Sequence, residues 1–212
     1  MTRLRLATVS AVAVSAVLAA GSPMPQASAH PSWPKVELRP LGTYATGAFD
    51  EGGSEIVAYD ARRHRAFSVN AQAGTVDVLD ISDPTAPAKV ATLATPGANS
   101  VAVQGRTIAV AEQAEDKTDP GTVALFDAAT LQLVKRLGAG SLPDMVTISL
   151  DGSWAVVANE GEPEGYCEGQ DDPKGSVSVI DLRRGASRAS VRTASFTKYD
   201  GHETALRKAG IR

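Results

Sequence analysis

Cysteine, histidine and aromatic residues are all scarce in this chain, and each scarcity removes a class of function. Cys167 is the single cysteine of 212 residues, so no internal disulfide can form. Only three histidines occur, His30, His64 and His202, and they lie far apart. They suggest neither a zinc cluster nor a histidine-based catalytic triad. Neither Gly-x-Ser-x-Gly nor a phosphate-cradling Gly-Lys-Ser/Thr is present. Aromatics make up 5% of the chain, too few for the stacking platforms that single-strand readers use. A cationic excess is also missing: 21 Lys and Arg face 24 Asp and Glu, a net charge of −3. That balance argues against nucleic acid or an anionic membrane as the main partner. The apolar run Leu6–Ala20 falls short of the roughly 20 residues that a membrane span needs.

That run fits a targeting segment instead. Arg3 and Arg5 precede it, and Ala27-Ser28-Ala29 supplies the small-x-small pattern a signal peptidase accepts. Residues 1–29 therefore read as a signal peptide cleaved after Ala29, and residues 30–41 as a linker. The mature protein is expected to be secreted, with no transmembrane segment left. Cleavage removes Arg3 and Arg5 but no acid, leaving 19 basic residues against 24 acidic ones, a charge of −5. No Cys follows the cleavage site to carry a lipid.

What the chain does have is repetition. Val76 to Ile81, Val123 to Ala128 and Val177 to Leu182 end in nearly the same pattern, apolar residues closing on Asp80, Asp127 and Asp181. Upstream of each lies a matching segment, led by Glu55, Asn99 and Asp144. The first interval is 44 residues and the second 45. Such a period fits a four-stranded propeller blade of roughly 40–50 residues. Within each repeat, four short β-runs alternate with Gly, Pro, Asn and Asp turns. The predicted fold is all-β: a propeller of four-stranded blades at about 54–95, 98–140 and 143–198, within a partial propeller spanning 42–212. Asp200-Gly201-His202-Glu203 resembles a capping box and opens a short helix over 202–210, closed by Gly210.

Three blades make an open wedge, whereas closed propellers have typically four to eight. The chain is accordingly expected to be the front part of a longer propeller, a truncated or incomplete gene product. Missing blades, or a dimer mate, would cover the open sheet face.

Candidate chemistry sits at loop positions that line up between repeats. Glu55, Asn99 and Asp144 lead the innermost strands; Asn70, Glu112 and Asn159, with Glu160, follow the second strands. Oxygen ligands aimed at one axis suit Ca²⁺ or Mg²⁺. Glu55, Asp144, Glu112 and Glu160 are the candidate metal ligands. Asn70, Asn99, Asn159 and Glu162 complete a candidate ligand rim. Turn chemistry, in which Asn and Asp satisfy backbone groups, accounts for the same pattern without any ligand. The aspartates Asp80, Asp127 and Asp181 are read that way, as Asx-turns. Two acidic loops, 112–121 and 159–175, lengthen the second and third repeats, and long loops on a β scaffold often carry function.

Several segments also resemble a known family. Gly42 to Gly47, Ser54 to Asp60, Val69 to Ala71, Val76 to Pro84, Ala98 to Val103, Leu142 to Met145, Asn159-Glu160-Gly161-Glu162-Pro163 and Gly175 to Leu182 carry the likeness. They are similar to bacterial secreted proteins with the choice-of-anchor I domain, a β-propeller group related to YVTN and WD40-like propellers. The resemblance runs over roughly Leu41 to Arg212 and implies an extracellular propeller, often tethered by varied C-terminal anchors. Some members are labelled alkaline phosphatase-like. Against that resemblance, this chain is expected to stop short of the remaining blades and any anchor.

The leading expectation is a non-catalytic secreted module binding a small molecule or extracellular partner at an acidic rim, with Ca²⁺ or Mg²⁺ as the candidate cation. A metal-dependent phosphoesterase, with the four acids holding cations that activate water, is the alternative enzyme reading. A cell-surface structural or adhesion protein is the third.

Overall fold

The computed structural model describes residues 36–165 and 167–211. The expected signal peptide lies outside the described residues. The chain divides into a unit ending at Arg39 and a second, Pro40–Arg212, which holds every described strand.

Twelve strands form three four-stranded sheets, each antiparallel and each in simple chain order. The first sheet contains β1 (Val57–Asp60), β2 (Arg65–Asn70), β3 (Thr75–Asp80) and β4 (Ala88–Leu93). The second contains β5 (Ala98–Gln104), β6 (Thr107–Glu112), β7 (Pro120–Asp127) and β8 (Leu133–Ser141). The third contains β9 (Pro143–Ile148), β10 (Trp154–Asn159), β11 (Ser176–Asp181) and β12 (Ser190–Ser195). A short helix, α1 (Glu203–Lys208), follows.

The three sheets stack face to face, and the second has both faces buried. Side chains alternate across a strand, so neighbouring residues serve opposite neighbours. In β6, Ile108 and Val110 pack with Phe67, Val69, Val76 and Val78 of the first sheet. Ala109 and Ala111 turn the other way, toward Val146, Ala155, Val157 and Ile180 of the third. β7 repeats the division, with Ala124 and Phe126 on one side and Val123 and Leu125 on the other. Full burial of a side chain such as Phe67, Ile108 or Leu125 stabilises by about 1.5–3 kcal/mol. This explains why the inner residues of β6 and β7 are so uniformly apolar: neither face of these two strands meets solvent.

The three aspartates that close the third strands are Asx-turns, as the sequence suggests. Asp80 Oδ1 accepts Ser82 N–H at 2.8 Å, Asp127 Oδ1 accepts Ala129 N–H at 2.8 Å, and Asp181 Oδ1 accepts Arg183 N–H at 3.0 Å. The Asp151-Gly152 turn is also as expected, with Gly152 at φ 72° and its N–H donated to Ser149 O at 2.8 Å.

Two expectations need correction. The helix is capped at His202, whose side chain makes no capping bond, so Asp200 does not serve; Glu203 Oε1 accepts from Gly201 N–H at 2.7 Å rather than from Asp200 N–H, and neither half of the box forms. The outer face of the first sheet is also less bare than an uncapped blade would be. Tyr44, Thr46 and Gly53 enclose a cavity of about 50 Å³ against Ser68, Asp77 and Leu79 of that face. Ser54 and Ser68 share a hydroxyl bond of 2.6 Å, and the buried Asp77 pairs with Lys89 at 2.6 Å. The outer face of the third sheet has no such cover among the described residues, and Met145 and Val156 are exposed there.

Candidate functional site

All three sheets present the same strand ends on one rim: the starts of β1, β5 and β9, the ends of β2, β6 and β10, and the starts of β3, β7 and β11. The strands run further into this rim than their apolar cores require. β5 begins at Ala98, β7 at Pro120, and β8 continues to Ser141, with register shifts at Ala98/Ser100 and Pro120/Thr122. Irregular pairing of this kind bends strand ends and re-aims side chains.

Glu112, at the end of β6, is the buried centre of the rim, 2% exposed. Its Oε2 accepts Thr122 Oγ1–H at 2.6 Å and Arg136 Nε–H at 3.0 Å; its Oε1 accepts Arg136 Nη2–H at 3.2 Å. Arg136 Nη2 also donates to Ala94 O at 2.8 Å, tying the second sheet to the connection that leaves the first. A fork-to-fork pair of this kind is geometrically specific and holds both partners still.

A cavity of about 670 Å³ opens beside this pair, lined by Gly97, Glu112, Gln113, Glu115, Thr122 and Arg136 among others. Its floor is tight backbone. Gly97 has φ 73°, and Gln113 N–H donates to its carbonyl at 2.8 Å. A Cβ at Gly97 would lie 2.5 Å from Gln113 O, so only glycine fits. Asn99 Nδ2 donates to Gln113 Oε1 at 3.0 Å and to Pro143 O at 3.1 Å, fixing Gln113 and bridging to the third sheet. Two donor groups on the cavity then have no partner among the described residues: Arg136 Nη1 and Gln113 Nε2.

The sequence-derived site residues divide unevenly. Glu112 is committed to Arg136 and Thr122, so its charge is already balanced and its oxygens are occupied. Glu55, Asp144 and Glu160 are exposed. Among the described residues, no three of His, Cys, Asp and Glu gather as a metal centre would require. Asn70 is a turn former, its Oδ1 accepting Ala73 N–H at 3.0 Å. Glu162 bridges the two acidic loops through Lys117 at 3.1 Å. Asn159 is buried at 3% exposure, its Nδ2 donating to Ser176 and Ser178 hydroxyls at 3.0 Å each. Its Oδ1 is left without a hydrogen-bond partner.

Arg136 and Gln113 were not among the sequence candidates. The repeat alignment drew attention to strand ends, and Arg136 lies inside the outermost strand, β8. β7 lies between β8 and Glu112, so the arginine side chain reaches across that strand to the glutamate. Gln113 follows a position that alignment did single out, and a search for charge passes over it.

The fold has known counterparts. A Bacteroides fragilis protein assigned as a 6-phosphogluconolactonase superposes with a TM-score of 0.53 at 14% identity, covering 68% of this chain and 39% of that one. The hydrazine synthase of Kuenenia stuttgartiensis aligns at TM-score 0.48 and 20% identity, covering 67% of this chain and 37% of that one. The chain thus spans under two fifths of the length of these two structures. At 14% identity the likeness to the Bacteroides protein concerns fold alone, a β-propeller-like stack of four-stranded sheets. No curated protein matches the chain in sequence. Among the described residues no helix is long and apolar enough to cross a membrane. The choice-of-anchor I domain matches residues 55–212, and the chain belongs to that family.

Proposed function

We propose that this chain is a secreted β-propeller module that binds a small, oxygen-rich molecule in the rim cavity beside Glu112 and Arg136. The carrying observation is the pair of unused donors, Arg136 Nη1 and Gln113 Nε2, held on a rigid floor in a cavity of about 670 Å³. The Glu112–Arg136 pair is electrically balanced, and the two donors call for a ligand that carries acceptors; Glu115, the other acid of the lining, can accept from that ligand's hydroxyls. A carboxylate or vicinal hydroxyls would accept from Arg136 Nη1 while Gln113 Nε2 fixes orientation. Secretion rests on the signal-like N-terminus and on the family's extracellular character.

Calorimetric titration of the full chain with galacturonate and with citrate tests this reading. Saturable binding, weakened in Gln113→Ala and in Arg136→Lys, is the expected result; heat unchanged by both variants overturns it. A Ca²⁺ and Mg²⁺ titration in the same series addresses the cation reading of Glu55, Asp144 and Glu160. Turnover of a phosphomonoester that a chelator abolishes would replace the binding module with the phosphoesterase.

A further inference from the structure

The end of the third sheet opposite the rim carries a charge of the other sign. The eleven residues from Leu182 to Arg192 contain Arg183, Arg184, Arg188 and Arg192 and no acid, in a chain whose net charge is −3. The fold concentrates this run. Gly185, at φ 83°, reverses the chain after β11, and a 3₁₀ turn over Ala186–Arg188 leads into β12. A cavity of about 480 Å³ results, lined by Asp181, Arg183, Arg184, Arg188, Ser190 and Arg192.

This turn is held in shape. Leu182 and Ala189 are buried against the second sheet's side of the core, at 5% and 2% exposure. Lys135 Nζ of β8 donates to Ala189 O at 2.7 Å. Gly185 N–H donates to Leu182 O at 2.8 Å and Arg188 N–H to Gly185 O at 3.1 Å. Arg183 is fixed twice over: Nε and Nη2 donate to the two Asp181 oxygens at 3.0 and 2.5 Å, and its guanidinium stacks 4.7 Å from the Trp154 ring centroid. Asp181 is therefore spent on Arg183. Arg184, Arg188 and Arg192 have no carboxylate partner among the described residues.

Like charges gathered around one cavity repel one another, and an anion relieves that repulsion. Guanidinium groups meet tetrahedral oxyanions through paired N–H donors, a geometry that ammonium groups do not reproduce. The volume exceeds that of the ion alone and leaves room for part of an attached alcohol. We propose that this cavity binds the phosphate or sulfate group of a small ester through Arg184, Arg188 and Arg192, with the Arg183–Trp154 stack as its fixed wall. The site lies at the opposite strand ends from the rim cavity and is independent of it.

The test is calorimetry on the full chain at low salt, with inorganic phosphate, inorganic sulfate, glucose 6-phosphate and glucose 6-sulfate as probes. Saturable binding of at least one ester is expected, weakening as NaCl is added. Arg188→Ala/Arg192→Ala should lower affinity at least about tenfold, the loss of one charge-assisted bond or more. Arg188→Lys/Arg192→Lys should restore only part of it. Both positions are exposed, so circular dichroism should show an unchanged fold. Gln113→Ala should leave anion binding intact. Tighter binding of the phosphate or of the sulfate ester identifies the source of the anion. Absence of saturable binding by all four probes, or equal affinity in the alanine double variant, overturns the proposal.

Discussion

Arg136 closes on Glu112 through two nitrogens, Nε to Oε2 at 3.0 Å and Nη2 to Oε1 at 3.2 Å, and only the arginine reaches water. The glutamate side chain is 3% exposed and the arginine 36%. Removing the arginine would strand a buried carboxylate. Breaking a fully buried pair costs about 3–5 kcal/mol, and partial access of water reduces this here to about 2–3 kcal/mol. Arg136→Met should lower stability by that amount in urea denaturation. Glu112→Gln/Arg136→Met should recover much of the loss, since an amide can still accept from Thr122. Equal losses in the single and double variants would show that the pair is not what holds the rim.

Gly121 tests the packing around the same pair. A Cβ there would meet Glu112 O and come within 2.6 Å of the Pro143 ring. Gly121→Ala must push strands apart and should destabilise by about 1–3 kcal/mol, as overpacking does. Gly138 lies on the neighbouring strand with nothing within 4 Å of a Cβ. Gly138→Ala should stay within about 0.5 kcal/mol of the parent. Thermal unfolding of both variants measures the contrast, and a matched pair of midpoints would rule out the crowding.

The turn carboxylates set the acid limit of stability. Arg106 beside Asp127 and Arg183 beside Asp181 hold these carboxyls down to about 2, with backbone N–H groups assisting. The Ser149 hydroxyl does the same for Asp151, also to about 2. A folded value below the unfolded one, about 4 for aspartate, means a stabilisation fully present above pH 4. It is lost as pH falls toward 2. The denaturation midpoint should therefore stay level from neutral pH to about 4 and decline below it. Asp127→Asn/Asp181→Asn should be less stable at neutral pH and show a shallower acid decline. A parallel decline in parent and variant would mean that other groups control acid unfolding.

The strands were legible because the repeat writes each one three times, with Val, Ile and Ala alternating between turn residues. Asp80, Asp127 and Asp181 could be read as turns because an Asx-turn needs only its own next two residues. The rim could not be read so easily. Glu112 looks like an available carboxylate in sequence, and what neutralises it is Arg136, twenty-four positions on in an outer strand. That pairing follows from the β7–β8 register, where Ala124 lies opposite Arg136, and a register shifted by bulges is not written in composition. Net charge hid the arginine cavity in the same way, because an average over 212 residues conceals a run of eleven.

The two-faced middle sheet makes a prediction about residues adjacent in sequence. Ile108 and Ala109 are both fully buried, yet Ile108 packs against the first sheet and Ala109 against the third. Ile108→Ala should open a cavity on one side and cost about 2–5 kcal/mol. Ala109→Leu should overfill the other side and cost about 1–3 kcal/mol. Combining them keeps the total side-chain volume nearly constant, and in a one-sided core the added leucine would refill the space left by isoleucine. Here the two side chains belong to separate clusters of the core. The double variant should therefore be less stable than either single variant in chemical denaturation, the shared backbone alone coupling the two losses. A double variant more stable than Ile108→Ala alone would mean that the two side chains share one core, and that the second sheet is not sandwiched between the others.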